Sequence, residues 1–234
     1  MSSSFSPNKP IPKVLRKQVV WKELYFYQKS EVLYHMTFVF CKRFLPAHGD
    51  RTVDQMVQAA RSGKQNIVEG SADGVTSTEM QLKLLNVARA SIQELQEDFK
   101  DYLHTRFGTI WQTGHPRYDG MLTFCRCHNA MDDYQPFFER WTDEEMANIG
   151  YTLCRMTDKM MSTYIEGLET QFVQEGGIKE RMYAARTGYR QEQDARLIAL
   201  EAENIRLKAE IERLKRELGR EEKDNYKNYN FYKD

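Results

Sequence analysis

Between Trp21 and Leu45 the apolar residues Leu24, Tyr27, Tyr34, Phe38, Cys41 and Leu45 return at three- and four-residue steps, and Pro46 ends the run. That spacing marks one face of a helix. A second helix is expected over Thr52 to Glu69, with Val53, Met56, Ala60 and Ile67 on one stripe and Gly70 as its stop. Its other side carries Ala59, Ser62, Gly63 and Asn66, small enough for a neighbouring helix backbone to come close. Thr76 and Glu79 have capping-box spacing ahead of Leu85, Ala88, Ile92, Leu95, Phe99 and Tyr102, a third helical stripe. Thr142 and Glu145 repeat the box before Met146, Ile149, Leu153, Met156, Met160, Tyr164, Leu168 and Phe172, and Gly176-Gly177 break this fourth helix. Residues 106–140 are too long for a plain loop, and Tyr118 to Met131 fits a short extra helix. No segment alternates with the period of a strand. The expected fold is therefore all-α, an antiparallel up-down four-helix bundle over residues 21–175, followed by a C-terminal helical suffix and a short coiled coil.

The suffix spans 176–192 and is basic, and heptads follow over 193–222. Leu197, Leu200, Asn204, Leu207, Ile211, Leu214 and Leu218 keep strict a and d steps. With Leu197 at a, the g residues Arg196, Glu203 and Glu210 each face an opposite charge at the following e position, Glu201, Lys208 and Lys215. Parallel pairing of two copies explains this pattern, and Asn204 at a favours the dimer, since an asparagine can hydrogen-bond its own copy. A solvated single helix, or one folded back on the bundle, is the alternative for so short a repeat. Residues 1–20 read as a disordered arm and 223–234 as a disordered tail in which Tyr226, Tyr229, Phe231 and Tyr232 interleave with lysines.

Composition narrows the function. A chain of 234 residues can bury a real core, while a mean hydropathy of −0.71 suits long, solvent-washed helices. The first helix is free of formal charge only from Val32 to Cys41, short of the roughly 18 apolar residues a span needs. The opening MSSSFSPNKPIPK has no apolar core of a signal peptide, and four scattered cysteines make no disulfide framework, so the expectation is a cytoplasmic protein with reduced thiols and no membrane partner. Lys and Arg balance Asp and Glu at 34 each, but residues 1–50 hold 8 basic against 3 acidic and residues 51–150 hold 10 against 15. A domain-wide positive field is thereby excluded, and any basic surface is local.

Candidate chemistry is sparse. Glycine-rich phosphate loops, HExxH and paired CxxC are all lacking. Cys125, Cys127 and His128 could donate to a metal only if Cys154 or His104 arrived by folding, and ordinary buried thiols are the preferred reading. Glu69, Glu94, Asp98 and Asp101 lack the Glu-x-x-His partner of a bundle metal site, and Asp98 and Asp101 read as a solvated face. Neither enzyme, cofactor, metal nor small-molecule substrate is expected. Lys179, Arg181, Arg186 and Arg190, with Tyr183 and Tyr189 among them, could touch nucleic acid.

The run AARSGKQNIVEG at 59–70, preceded by Asp54-Gln55-Met56, and the run LNVARAS at 85–91 closing on Glu94-Leu95 resemble the signature of the 23S rRNA intervening-sequence protein family, bacterial four-helix-bundle proteins. FVQEGGIKERMYAARTGYR at 172–190 resembles the suffix of the four helix bundle suffix domain subgroup. The resemblance covers about residues 21–190 and implies a non-enzymatic bundle that assembles into rings, here with a zipper available to link copies. It gives Gln55, Ala60, Asn66, Glu69, Gly70, Ala88, Ser91 and Glu94 a structural role. Some such proteins are encoded inside ribosomal RNA intervening sequences, and others are accessory factors that engage RNA and reverse transcriptase. The expected function is thus an RNA- or retroelement-associated accessory or scaffold; the alternative is an adaptor that binds protein alone.

Overall fold

The structure is a computed structural model that describes residues 14–46, 51–106 and 108–231, with side chains as far as residue 218. It is helical, and no strand occurs among the described residues. After a 3-10 turn at Trp21–Glu23 come α1, Tyr25–Phe44, α2, Arg51–Asp73, and α3, Thr78–Thr105. The connection that follows holds α4, Tyr118–Cys127, and the single turn α5, Met131–Tyr134; then come α6, Asp143–Glu175, and α7, Ile178–Phe231. Among the described residues no helix is long and apolar enough to cross a membrane. Residues 14–181 form one compact unit, and the residues of α7 from Met182 onward belong to a second.

Within the first unit α1 packs on α2 and α6, and α3 packs on the same two, so the four long helices enclose a common core. Its larger part is built around Phe40, which meets Phe99 and Tyr102 edge to face at 5.3 and 4.7 Å. A smaller cluster holds Phe26, Ile67, Leu85, Met161 and Ile165. Every residue of the α3 stripe from Leu85 to Tyr102 is buried. The box at the start of α6 is reciprocal: Glu145 N–H donates to Thr142 Oγ1 at 3.3 Å and Thr142 N–H donates to Glu145 Oε2 at 2.8 Å. Gly176 takes φ of +71°, the left-handed stop that only glycine adopts freely.

Several expectations are corrected. In α1 the buried row runs through Val32, Leu33, Met36, Thr37 and Phe40, and Phe38 is 55% exposed, because adjacent apolar residues let two neighbouring faces fit the same spacing. Gly70 does not stop α2, which runs to Asp73; a Cβ there would stand 3.3 Å from the Leu84 Cβ, so the glycine serves close packing on α3. Ser77, not Thr76, caps α3, its Oγ accepting from Met80 N–H at 3.1 Å. In the second half of α6 the core takes Cys154, Thr157, Met161 and Ile165, while Met156, Met160 and Tyr164 are only half-buried. Residues 14–20 of the expected arm are placed, with Arg16 Nη2 donating to Glu175 Oε2 at 3.0 Å; residues 1–13 lie outside the described residues. The bounds of α7 take in the expected suffix, the heptads and residues 223–231 of the expected tail, whose side chains lie outside the described residues.

The connection of residues 106–141 is tied down by buried polar groups. Asn148 accepts from Trp111 N–H at 2.8 Å and donates to Thr109 O and Glu144 O, each at 2.9 Å. Arg43 donates to Phe138 O, and Lys29 Nζ donates to Cys125 O at 2.5 Å and His128 O at 2.9 Å. Lys29 is 3% exposed and caps carbonyls at the end of α4, where the helix dipole supplies negative partial charge. Burial pulls its ammonium below the ordinary lysine range.

Candidate functional site

The motif residues gather where α2 meets α3. Ser91 Oγ donates to Ser62 Oγ at 2.9 Å, and Asn66 Nδ2 donates to Ser62 O at 2.9 Å. A Cβ at Gly63 would sit 2.7 Å from Ile92 Cδ1, so the two helices touch with no room for a side chain. Ala60 and Ala88 are buried at this contact level, while Gln55 and Glu94 line a polar recess of about 850 Å³ beside it. Glu69 is exposed. Two hydroxyls and one amide satisfying one another is a packing arrangement, with no nucleophile beside a base.

The cysteine and histidine candidates point to different surroundings. Cys125 is buried with its thiol pushed up to about 12 by desolvation, Cys127 is exposed, and His128 Nδ1 lies 2.9 Å from Phe124 O. Cys154 is buried in the core with its thiol raised by burial. Among the described residues no three His, Cys, Asp or Glu groups converge as metal ligands, and His104 is exposed on α3. Asp98 is not part of a solvated face: its Oδ2 is buried without a hydrogen-bond partner, and burial, then Glu94 and Asp101, lift its carboxyl to about 6. Asp101 is exposed as expected.

The four cations singled out for nucleic acid divide between the two units, Lys179 and Arg181 in the first, Arg186 and Arg190 in the second. Arg181 is half-buried and turned back on its own helix, Nε donating to Gly177 O at 3.4 Å. On α7 the whole seam is exposed: Leu207 is 53% and Leu214 46% accessible, and Leu197, Leu200, Asn204, Ile211 and Leu218 are open with them. Glu210 and Lys215 are engaged locally, with Arg213 at 2.7 Å and Glu212 at 3.2 Å.

A groove of about 1050 Å³ between α1, α4 and α6 was not foreseen. Its walls are single-turn ridges: Tyr118, Leu122 and Arg126 on α4, and Tyr151, Arg155 and Lys159 on α6, each at four-residue steps. The half-buried Met156, Met160 and Tyr164 form the adjacent ridge of α6, and Phe26 and Lys29 close it from α1. The Arg155 guanidinium lies 5.8 Å over the Tyr151 ring, and Phe26 meets Tyr164 at 5.2 Å. The signal that could have found it is the split apolar stripe of α6 flanked by Tyr-Arg-Lys at helical spacing. No protein-family model, curated protein or solved structure matches this chain.

Proposed function

We propose that the protein is a non-enzymatic, self-assembling scaffold of the cytoplasm, in which an antiparallel up-down four-helix bundle is joined to others by parallel pairing of α7. The closed cycle of packing among α1, α2, α3 and α6 supports the bundle. The observation that carries assembly is the continuous exposure of the heptad seam, six aliphatic side chains and Asn204 on one face of one helix. Burying such a seam contributes roughly 1.5–3 kcal/mol for each large apolar side chain that water leaves. The complementary g and e charges then choose register and partner.

Association with RNA or a retroelement reverse transcriptase is the role the motif resemblance supports. One observation favours the adaptor alternative: Arg181 is half-buried and folded onto the Gly177 carbonyl, which takes it away from a phosphate-binding face. Light scattering in line with size exclusion, recording nucleic-acid absorbance of protein purified at low salt without nuclease, tests both. A dimer or a multiple of dimers is expected, and a monomer at micromolar concentration overturns assembly. RNA that co-elutes and is lost at high salt supports the accessory role; a clean oligomer supports the adaptor. Lys208→Glu with Lys215→Glu sets like charges against Glu203 and Glu210 of a second copy and is expected to weaken self-association at least about tenfold.

A further inference from the structure

We propose that the groove between α1, α4 and α6 binds a free nucleoside phosphate, with the base against tyrosine rings and the phosphate on Arg126, Arg155 and Lys159. These three cations have no ion-pair partner among the described residues. Glu23 is the one acidic residue lining the groove, so the wall carries a net surplus of three positive charges when Lys29 is counted, in a unit whose residues 51–150 are acidic in sum. Elsewhere in the unit Arg117 pairs with Glu145 at 2.6 Å and the half-buried Arg89 with Asp158 at 3.0 Å.

The Arg155 guanidinium lies over the Tyr151 ring at 5.8 Å, and its fork of N–H donors suits two-pronged contact with phosphate oxygens. Lys159 stands one turn further along the same ridge and Arg126 faces them from α4, so a phosphate group can meet cations from two helices. Lys29 donates to backbone carbonyls, and its buried charge adds to the field without competing for the ligand. Tyr118, Tyr151 and Tyr164 offer ring faces for a planar base. A volume of about 1050 Å³ matches small-ligand sites, which run to roughly 1,000 Å³. Carboxylates limit the groove: Glu23 lines it, and Glu144 lies 3.4 Å from the indole nitrogen of Trp111, another lining residue.

The assignment does not rest on the RNA-association reading. Isothermal titration of the full chain with AMP and GMP, with inorganic phosphate, and with a short single-stranded oligoribonucleotide separates the possibilities. Saturable nucleotide binding is expected, stronger than that of phosphate alone. Arg155→Glu and Lys159→Glu, both exposed, are expected to weaken it about tenfold each, and Tyr151→Ala to weaken nucleotide but not phosphate. Circular dichroism confirms that each variant is folded. No nucleotide binding at millimolar concentration, binding of the oligoribonucleotide alone, or binding that survives both charge reversals overturns the proposal.

Discussion

The unit of residues 14–181 and the heptad segment of α7 are written in the same three-and-four spacing, yet the first buries its stripes and the second exposes them. Phe99 on α3 is inaccessible among aromatic neighbours, while Leu207 on α7 is half open to water. Periodicity tells which residues share a face. It does not tell whether the covering surface belongs to the same chain. The difference lies in the flanks: α3 meets α2 and α6 through small residues and shared rings, whereas the seam of α7 is edged by Arg196, Glu203 and Glu210 on one side and Glu201, Lys208 and Lys215 on the other.

The largest expected effect that sharpens this contrast is Phe99→Ala. It opens a cavity beside Phe40 and is expected to destabilise the first unit by about 3–5 kcal/mol in urea unfolding. Self-association through α7, followed by sedimentation below the unfolding midpoint, is expected to stay intact. Loss of association with the core would show that the two regions fold as one. A smaller effect is expected for Lys29→Met, which leaves the Cys125 and His128 carbonyls without their ammonium donor and costs about 1–3 kcal/mol. Its mark is faster amide exchange in α4 than in α3, because α4 loses its tie to α1.

The smallest effect has the opposite sign and depends on pH. Asp98 releases its proton at about 6 in the folded chain against 3.8 when unexposed to such surroundings, so the folded state holds the extra proton between these values. Stability from this group is therefore lost as pH rises from about 4 to 6 and stays lost above. Asp98→Asn is expected to stabilise the protein by on the order of 1 kcal/mol at neutral pH, after allowance for solvent screening, and to match the parent in acid. A constant difference across the range would place the cause outside the carboxyl charge.

What could be read in advance follows from where the information sits. The α3 row and the Thr142-Glu145 box are local, each fixed by residues within a few turns, and both are legible in the chain. The face of α1 is not, since Val32-Leu33 and Phe38-Val39-Phe40 satisfy two stripes and only contact with α2 and α6 decides between them. The anchors of the connection escape for a different reason. Lys29, Arg43 and Asn148 reach carbonyls or amides dozens of residues away, and a lone polar residue in an apolar stripe carries no sign of its partner. The heptad pattern is legible in the chain because its residues and its charges lie on one helix. The groove is not, because three elements distant in sequence each give it one ridge.

The meeting of Gly63 with Ile92, sealed by the Ser62 and Ser91 hydroxyls, also acts on how the molecule can move. Helices this close resist sliding, since parting them would strand two hydroxyls and an amide. Compliance is left to the opposite side, where unbranched Met156 and Met160 line the groove and can change rotamer without shifting a backbone. The first unit thus pairs a tightly packed flank with one lined by flexible side chains.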